Sequence, residues 1–176
     1  VQSLRRFRDT RILPTFSGSQ FMLVFDSFYY SFSPNIAGYI SRSASARSLL
    51  KVLLYPLIKI LSLAELASRP FAFNAELGAF VAGLVASGLI GAVYVFPIIW
   101  ISLLLMSRRR MLSRRKPILS LTSLFLVSIL TMIVSEFFNL ALAMMFATSS
   151  LVLTTIFLSS MLLAVAAVKR SSAFKH

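Results

Sequence analysis

Three stretches of this chain contain no charged residue and are long enough to cross a lipid bilayer: residues 77–107, 117–135 and 137–168. A hydrocarbon core of roughly 30 Å needs about 20 helical residues at about 1.5 Å each. The middle stretch just spans that core, and the two longer ones must tilt, kink or project into water. Two minimal spans would need about 34 residues, so the third stretch is predicted to form one long helix. The sequence therefore predicts an all-α, multi-pass transmembrane protein with three spans.

The composition agrees with this class and argues against an enzyme. Hydrophobic residues make up 58% of the chain and charged residues 13%, against about 45–50% and about 25% in soluble domains. The chain has no cysteine, and its single histidine is the last residue, His176. Disulfides, thiolate metal sites and a Ser-His-Asp triad are thereby excluded. We predict no catalytic residue, no metal site and no cofactor.

Basic residues predict the orientation of the three spans. Six of them occupy the connection between the first two spans: Arg108, Arg109, Arg110, Arg114, Arg115 and Lys116. Further basic residues follow the third span, and the positive-inside rule places both groups in the cytoplasm. A basic run could also bind nucleic acid, but contact with anionic lipid headgroups is the favoured interpretation. We therefore predict a cell-membrane protein whose connection at 108–116 and C-terminus are cytoplasmic, with no nucleic-acid partner.

The N-terminal 70 residues form a different region from the membrane-spanning residues 71–176. Within it, residues 48–66 are apolar except for one helical stripe, formed by Ser48, Lys51, Tyr55, Lys59, Ser62 and Glu65. This pattern is typical of a helix in the membrane interface, and a centrally buried Lys59 would cost about 2.5–3.5 kcal/mol. A fourth span is the alternative, since it would bring the arginines before it to the cytoplasmic side. We favour the interfacial helix, and the side of the N-terminus stays open.

An aromatic helix is predicted over residues 20–32, a short run that holds six aromatic side chains. Ser19 is its expected N-cap. Pro34 is expected to end it, because proline disfavours helical backbone in the preceding residue. Such aromatic density is typical of the headgroup zone. Asp26, inside this helix, is expected to pair with an N-terminal arginine rather than bind a cation.

Small residues cover much of the first span and predict close helix packing. The residues concerned are Ala79, Gly83, Ser87, Gly88 and Gly91. Small residues four positions apart let helix backbones approach each other in lipid. The partner can be another subunit or this chain's own helices, and the sequence does not decide between them. Pro97, in the same span, predicts a kink.

Four blocks of the first half resemble the CFI-box C-terminal domain family. They occupy residues 1–9, 18–21, 28–37 and 54–57 and read VQxLRxFRD, GxxF, FYYSFSPxIA and LxPL. The resemblance covers about residues 1–106 and lacks the Cys-Phe-Ile box, which would lie upstream of Val1. It implies a membrane-associated, archaeal-type module of the kind found at the ends of surface proteins, and it implies no catalytic residue.

Charge-free spans with small-residue faces favour a non-catalytic accessory or structural subunit of a larger membrane complex. Its expected partners are other integral membrane subunits, which it would stabilise by helix packing, together with anionic lipids. An archaeal redox or monooxygenase complex is the host we suggest. The alternatives are a membrane-anchor module of a surface protein and a small channel or transporter. Transport is disfavoured because no ionisable residue lies inside the three stretches, whereas ion pathways usually contain one.

Overall fold

The computed structural model describes residues 2–106 and 115–173, and within these ranges every regular element is helical. The helices are α1, Gln2–Phe7, continued by a π-helical turn, Arg8–Ile12; α2, Phe16–Arg42; α3, Ala44–Ser68; α4, Ala75–Ile90, continued by a π-helical turn, Gly91–Val95; α5, Phe96–Met106; α6, Arg115–Phe137; and α7, Ala141–Ala173. A short 3-10 turn, Arg69–Phe71, follows α3.

Three helical segments are long and apolar enough to cross a membrane: Ala75–Ser102, Pro117–Phe137 and Ala141–Val168. The predicted all-α, multi-pass class is therefore confirmed, and these three segments correspond to the three predicted spans. The third span also forms one continuous helix, as its length predicts.

Helix α7 lies at the centre and contacts α2, α4, α5 and α6. One cluster of buried residues joins it to α6, with Met132 on α6 and Met144, Ala147 and Leu151 on α7, and Phe80 and Leu84 of α4 pack against the same cluster. Since α4 and α7 start at one end of the bundle and α6 ends there, the three spans alternate in direction along the chain.

The first span passes Pro97 without a break. Proline has no N–H to donate, and its ring crowds the carbonyl one turn earlier. Here the five residues before Phe96 adopt the wider π-helical turn, Gly91–Val95, and such turns commonly accommodate a local disruption within an α-helix. The disturbance expected at Pro97 therefore takes the form of a π-helical turn within one continuous helical rod.

The turn between α6 and α7 lies two residues later than the sequence predicted. Asn139 has a φ of 54°, which is the left-handed conformation common just after a helix C-terminus. The backbone N–H of Leu140 donates to the backbone carbonyl of Ser135 at 2.8 Å. The N–H of Asn139 donates to the backbone carbonyl of Glu136 at 3.4 Å. These bonds satisfy carbonyls that the end of α6 would leave without a donor. Asn139 thus shapes the turn between α6 and α7.

Helix α2 is longer at both ends than the predicted aromatic helix. Its N-cap is Thr15, whose hydroxyl accepts a hydrogen bond from the N–H of Gly18 at 3.0 Å, so the assignment of Ser19 was wrong. Pro34 lies inside the helix, which continues to Arg42. Proline disfavours helix before it without forbidding it, and here one missing N–H is tolerated.

Helix α3 runs antiparallel to α4 and in contact with it over most of its length. Near one end, the carbonyl of Ser68 lies 3.9 Å from where a Cβ on Gly78 would be. Near the other, the hydroxyl of Tyr94 donates to the carbonyl of Leu53 at 2.5 Å. Between these ends, the buried side chains of Ile60 and Ala64 join the same cluster as two alanines of α4.

Candidate docking surface

Three of the five small residues singled out on the first span are buried within this chain. Ala79 and Ser87 are 6% and 2% exposed, and Gly91 lies directly against α7. A Cβ added at Gly91 would overlap the Ile156 carbonyl oxygen and the Ser159 hydroxyl. Only a residue without a side chain permits this approach. At these positions the small residues serve packing within the chain, one of the two alternatives the sequence left open.

Gly83 and Gly88 are not closely packed in the same way. A Cβ at Gly83 would meet no atom within 4 Å, and one at Gly88 would just reach a methyl group of Thr155 at 4.0 Å. Both residues are half-buried. The five residues thus differ in how closely they are packed, and the described residues leave the Cβ position of Gly83 open although it lies between Ala79 and Ser87 on the helix.

Glu76, in the first turn of α4, caps the N-terminus of α2. Its carboxylate accepts hydrogen bonds from the backbone N–H groups of Phe16 and Ser17 and, at 2.5 Å, from the Ser17 hydroxyl. The first N–H groups of a helix lack intrahelical partners and carry partial positive charge, which a carboxylate stabilises. Glu76 therefore ties the start of α2 to the start of α4. The sequence gives no signal for this contact, because the two residues are about 60 positions apart.

The polar stripe predicted on residues 48–66 lies mainly on the outer surface of α3. Five of its six members are exposed, and Glu65 is half-buried. Ile60 and Ala64 face the opposite way, 4% and 0% exposed, against α4. The ammonium group of Lys59 lies 5.8 Å from the centre of the Tyr55 ring, a distance at which a cation and an aromatic face attract. The sequence identified the stripe, and the structure shows what its apolar side packs against.

Asp26 does not form the direct ion pair expected of it. Among the described residues, the ion pair within 4 Å joins Arg8 to Asp9 at 2.7 Å, with both side chains largely exposed. The hydrogen bond to Asp9 raises the pKa of the Arg8 guanidinium above its ordinary value, and the charge of Asp26 adds a smaller effect. Asp9 is the chain neighbour of Arg8, so its carboxylate lies close to the guanidinium group. Arg8 therefore pairs with Asp9 rather than with Asp26.

Hydroxyl groups provide most of the polar contacts among the three spans. The hydroxyls of Ser128 and Ser150 share a hydrogen bond at 2.8 Å, which links α6 to α7. The Thr148 hydroxyl donates back to the Met144 carbonyl at 2.8 Å. The buried hydroxyl of Ser149 has no partner among the described residues. Back-bonding of this kind satisfies hydroxyls inside lipid without a partner from another helix.

The basic group predicted to contact lipid headgroups lies largely outside the described residues. Arg108, Arg109, Arg110 and Arg114 fall outside them altogether, and Arg115 and Lys116 begin α6 with side chains that are not described.

No protein-family model, no curated protein and no solved structure matches the chain. The resemblance to the CFI-box C-terminal domain family therefore stays a prediction.

Proposed function

We propose that this chain is a non-catalytic accessory subunit that packs against other integral membrane subunits of a larger complex and stabilises them. The observation that supports this most directly is Gly83, a small residue on a spanning helix whose Cβ position has no neighbour within 4 Å among the described residues. Only about a fifth of each spanning segment is buried within the chain, between 17% and 22%. The other residues of these segments are at least partly exposed among the described residues, where lipid or partner helices can contact them.

Large apolar side chains dominate that available surface. On α6, Leu126, Leu130 and Ile133 are 59%, 63% and 60% exposed. Lipid provides no hydrophobic driving force between helices, so association depends on close van der Waals contact and interhelical hydrogen bonds. Open positions such as Gly83 are where a partner backbone could approach most closely. An archaeal redox or monooxygenase complex is the host we suggest, on the expectations from the sequence.

Gly83→Leu tests this function. Because a Cβ at Gly83 would meet no atom of the described residues within 4 Å, we expect the substitution to leave the fold intact and to push a partner helix away. We expect native electrophoresis in mild detergent to show the wild-type chain migrating with fixed partners and the Gly83→Leu chain released from them. Gly83→Ala, which keeps the position small, is the matched control and should retain the complex. Migration of the wild-type chain as a lone monomer would contradict the proposal.

The same experiment separates the two alternatives. A membrane anchor would migrate with a fragment of its own precursor, and a channel or transporter would migrate as a homo-oligomer. For transport, the observation in its favour is the position of Lys59, which α3 brings alongside a spanning helix, since ionisable groups within a membrane often mark ion pathways.

The proposed orientation places the connection 108–116 and the C-terminus in the cytoplasm, where the basic residues would meet anionic headgroups. The chain has no cysteine, so Ser113→Cys introduces a single thiol. We expect a membrane-impermeant maleimide to label it in inverted vesicles and not in intact cells. Labelling in intact cells would reverse the orientation, and a cysteine placed at Phe73, at the other end of the first span, is the control with the opposite expectation.

A further inference from the structure

We propose that α3 crosses the bilayer beside α4, and that Lys59 is the docking point for a partner transmembrane helix carrying an aspartate or glutamate at mid-depth. The inference rests on the proposed function and adds the chemistry of the partner. Its basis is the position of one lysine that the sequence alone had placed at the membrane surface.

The depth of Lys59 follows from the register of α3 against α4. The two contacts near the ends of the pair join Ser68 to Gly78 and Leu53 to Tyr94. Residue numbers in these pairs add up to 146 and 147, as expected for antiparallel helices, so Lys59 lies level with residue 87 or 88. The first span, Ala75–Ser102, has its centre between residues 88 and 89. Lys59 is therefore level with the middle of a helix that crosses the membrane.

At that depth the ammonium group of Lys59 cannot reach the water at either membrane surface. Half of the hydrocarbon core is roughly 15 Å thick, which exceeds the reach of a four-carbon side chain that snorkels from a helix. The residue is exposed, and among the described residues no carboxylate lies within 4 Å of it. Ionisable groups inside membranes pair with one another or line a cavity.

The surroundings of Lys59 on α3 favour a helix as its partner. Val52, Leu63 and Leu66 are 69%, 52% and 54% exposed, and with Tyr55 and Lys59 they form one face with spacings of three, four and seven residues. Side chains at these spacings lie together on a helix surface. The face has one cation at its centre, among apolar side chains and the exposed hydroxyls of Ser48 and Ser62, which fits a transmembrane helix with one carboxylate. A headgroup phosphate lies at the membrane surface, too far away to serve.

The experiment measures association in phosphatidylcholine vesicles between the full-length protein and designed transmembrane peptides. The peptides are Leu/Ala helices with glutamate, glutamine or leucine at the central position, and energy transfer between donor-labelled protein and acceptor-labelled peptide reports binding. We expect the glutamate peptide to bind about tenfold more tightly than the other two, as interhelical polar contacts in lipid permit. Lys59→Leu should abolish that preference, and Lys51→Gln, nearer the membrane surface, should leave it.

A charge reversal makes the test specific to the pair. Lys59→Glu should bind a peptide with central lysine and lose its preference for the glutamate peptide. Equal binding of all three peptides by the wild-type protein, or an unchanged preference in Lys59→Leu, would overturn the docking assignment. A cysteine at Lys59 that reacts with an impermeant maleimide in intact vesicles would overturn the crossing of α3.

These outcomes are distinguishable from failure of the accessory-subunit function. If Lys59→Leu loses the peptide preference and also migrates without its native partners, both proposals are supported. If it keeps its native partners on native electrophoresis, the docking site lies elsewhere and the subunit function stands. Migration of the wild-type chain alone removes the function while the peptide preference still tests the chemistry of Lys59.

Discussion

Helices α7 and α3 both pack along the first span, but they meet the membrane with different side chains. In α7, the polar groups before Lys169 are hydroxyls, and most of them bond to the helix's own carbonyls or to a hydroxyl of α6. In α3, the polar groups include Lys51, Lys59 and Glu65, and the two lysines are exposed. A hydroxyl can be satisfied within one helix, whereas a charge needs a second group or water.

The comparison shows which surfaces are fully packed within this chain and which are left with an unpaired group among the described residues. The contact between α4 and α7 uses glycine and small polar residues so close together that no space is left. The outer face of α3 has a cation without a counter-charge among the described residues. The first kind of surface stabilises the chain, and the second is where we expect a partner.

Gly91→Leu should have the largest effect, because it disrupts the closely packed contact between α4 and α7. A side chain at Gly91 overlaps a backbone carbonyl of Ile156 and the Ser159 hydroxyl, and a carbonyl in a helix cannot move aside as a flexible side chain can. We expect a loss of about 3 kcal/mol of unfolding free energy, measured by denaturant titration in detergent micelles.

The same substitution at Gly83 is the matched control for this effect. It changes the same residue type on the same span but enters open space, so the unfolding free energy of the isolated chain should stay within about 0.5 kcal/mol of wild type. Equal destabilisation by the two substitutions would contradict the difference in packing between Gly91 and Gly83.

Ser128→Ala should have a smaller effect than Gly91→Leu. The substitution removes the hydrogen bond from α6 to Ser150 on α7, and with it a bond from Ser128 back to the Leu124 carbonyl. Interhelical hydrogen bonds in membranes contribute about 0.6 kcal/mol on average. A double-mutant cycle with Ser150→Ala should return a coupling free energy of that size, and a coupling near zero would show that the hydroxyls do not stabilise the pair.

The spans were predictable from sequence because a membrane span is set by its own residues. Length, absence of charge and the need to satisfy the backbone internally act on each segment separately. The limits of α2 were less predictable. Pro34 predicted an end to the helix that did not occur, and Thr15 caps it in place of Ser19. Local preferences of about 1 kcal/mol for a cap are readily overruled by the contacts of a helix.

The candidate surface was predictable as a set of residues and not as a set of contacts. The small residues of the first span and the polar stripe of α3 are both visible in the sequence. Which glycine is enclosed depends on α7, about 65 residues further along the chain from Gly91. The capping of α2 by Glu76 depends likewise on two helix ends that meet only after folding.

By itself, the sequence determined that the chain is helical and built for a membrane, because hydrophobic length and the distribution of charge act locally. The tertiary structure decided which face of each helix is covered and placed Lys59 level with the centre of the first span. The sequence could not give this position, because the depth of Lys59 follows from the register of α3 against α4. That register depends on how the surfaces of the two helices fit together.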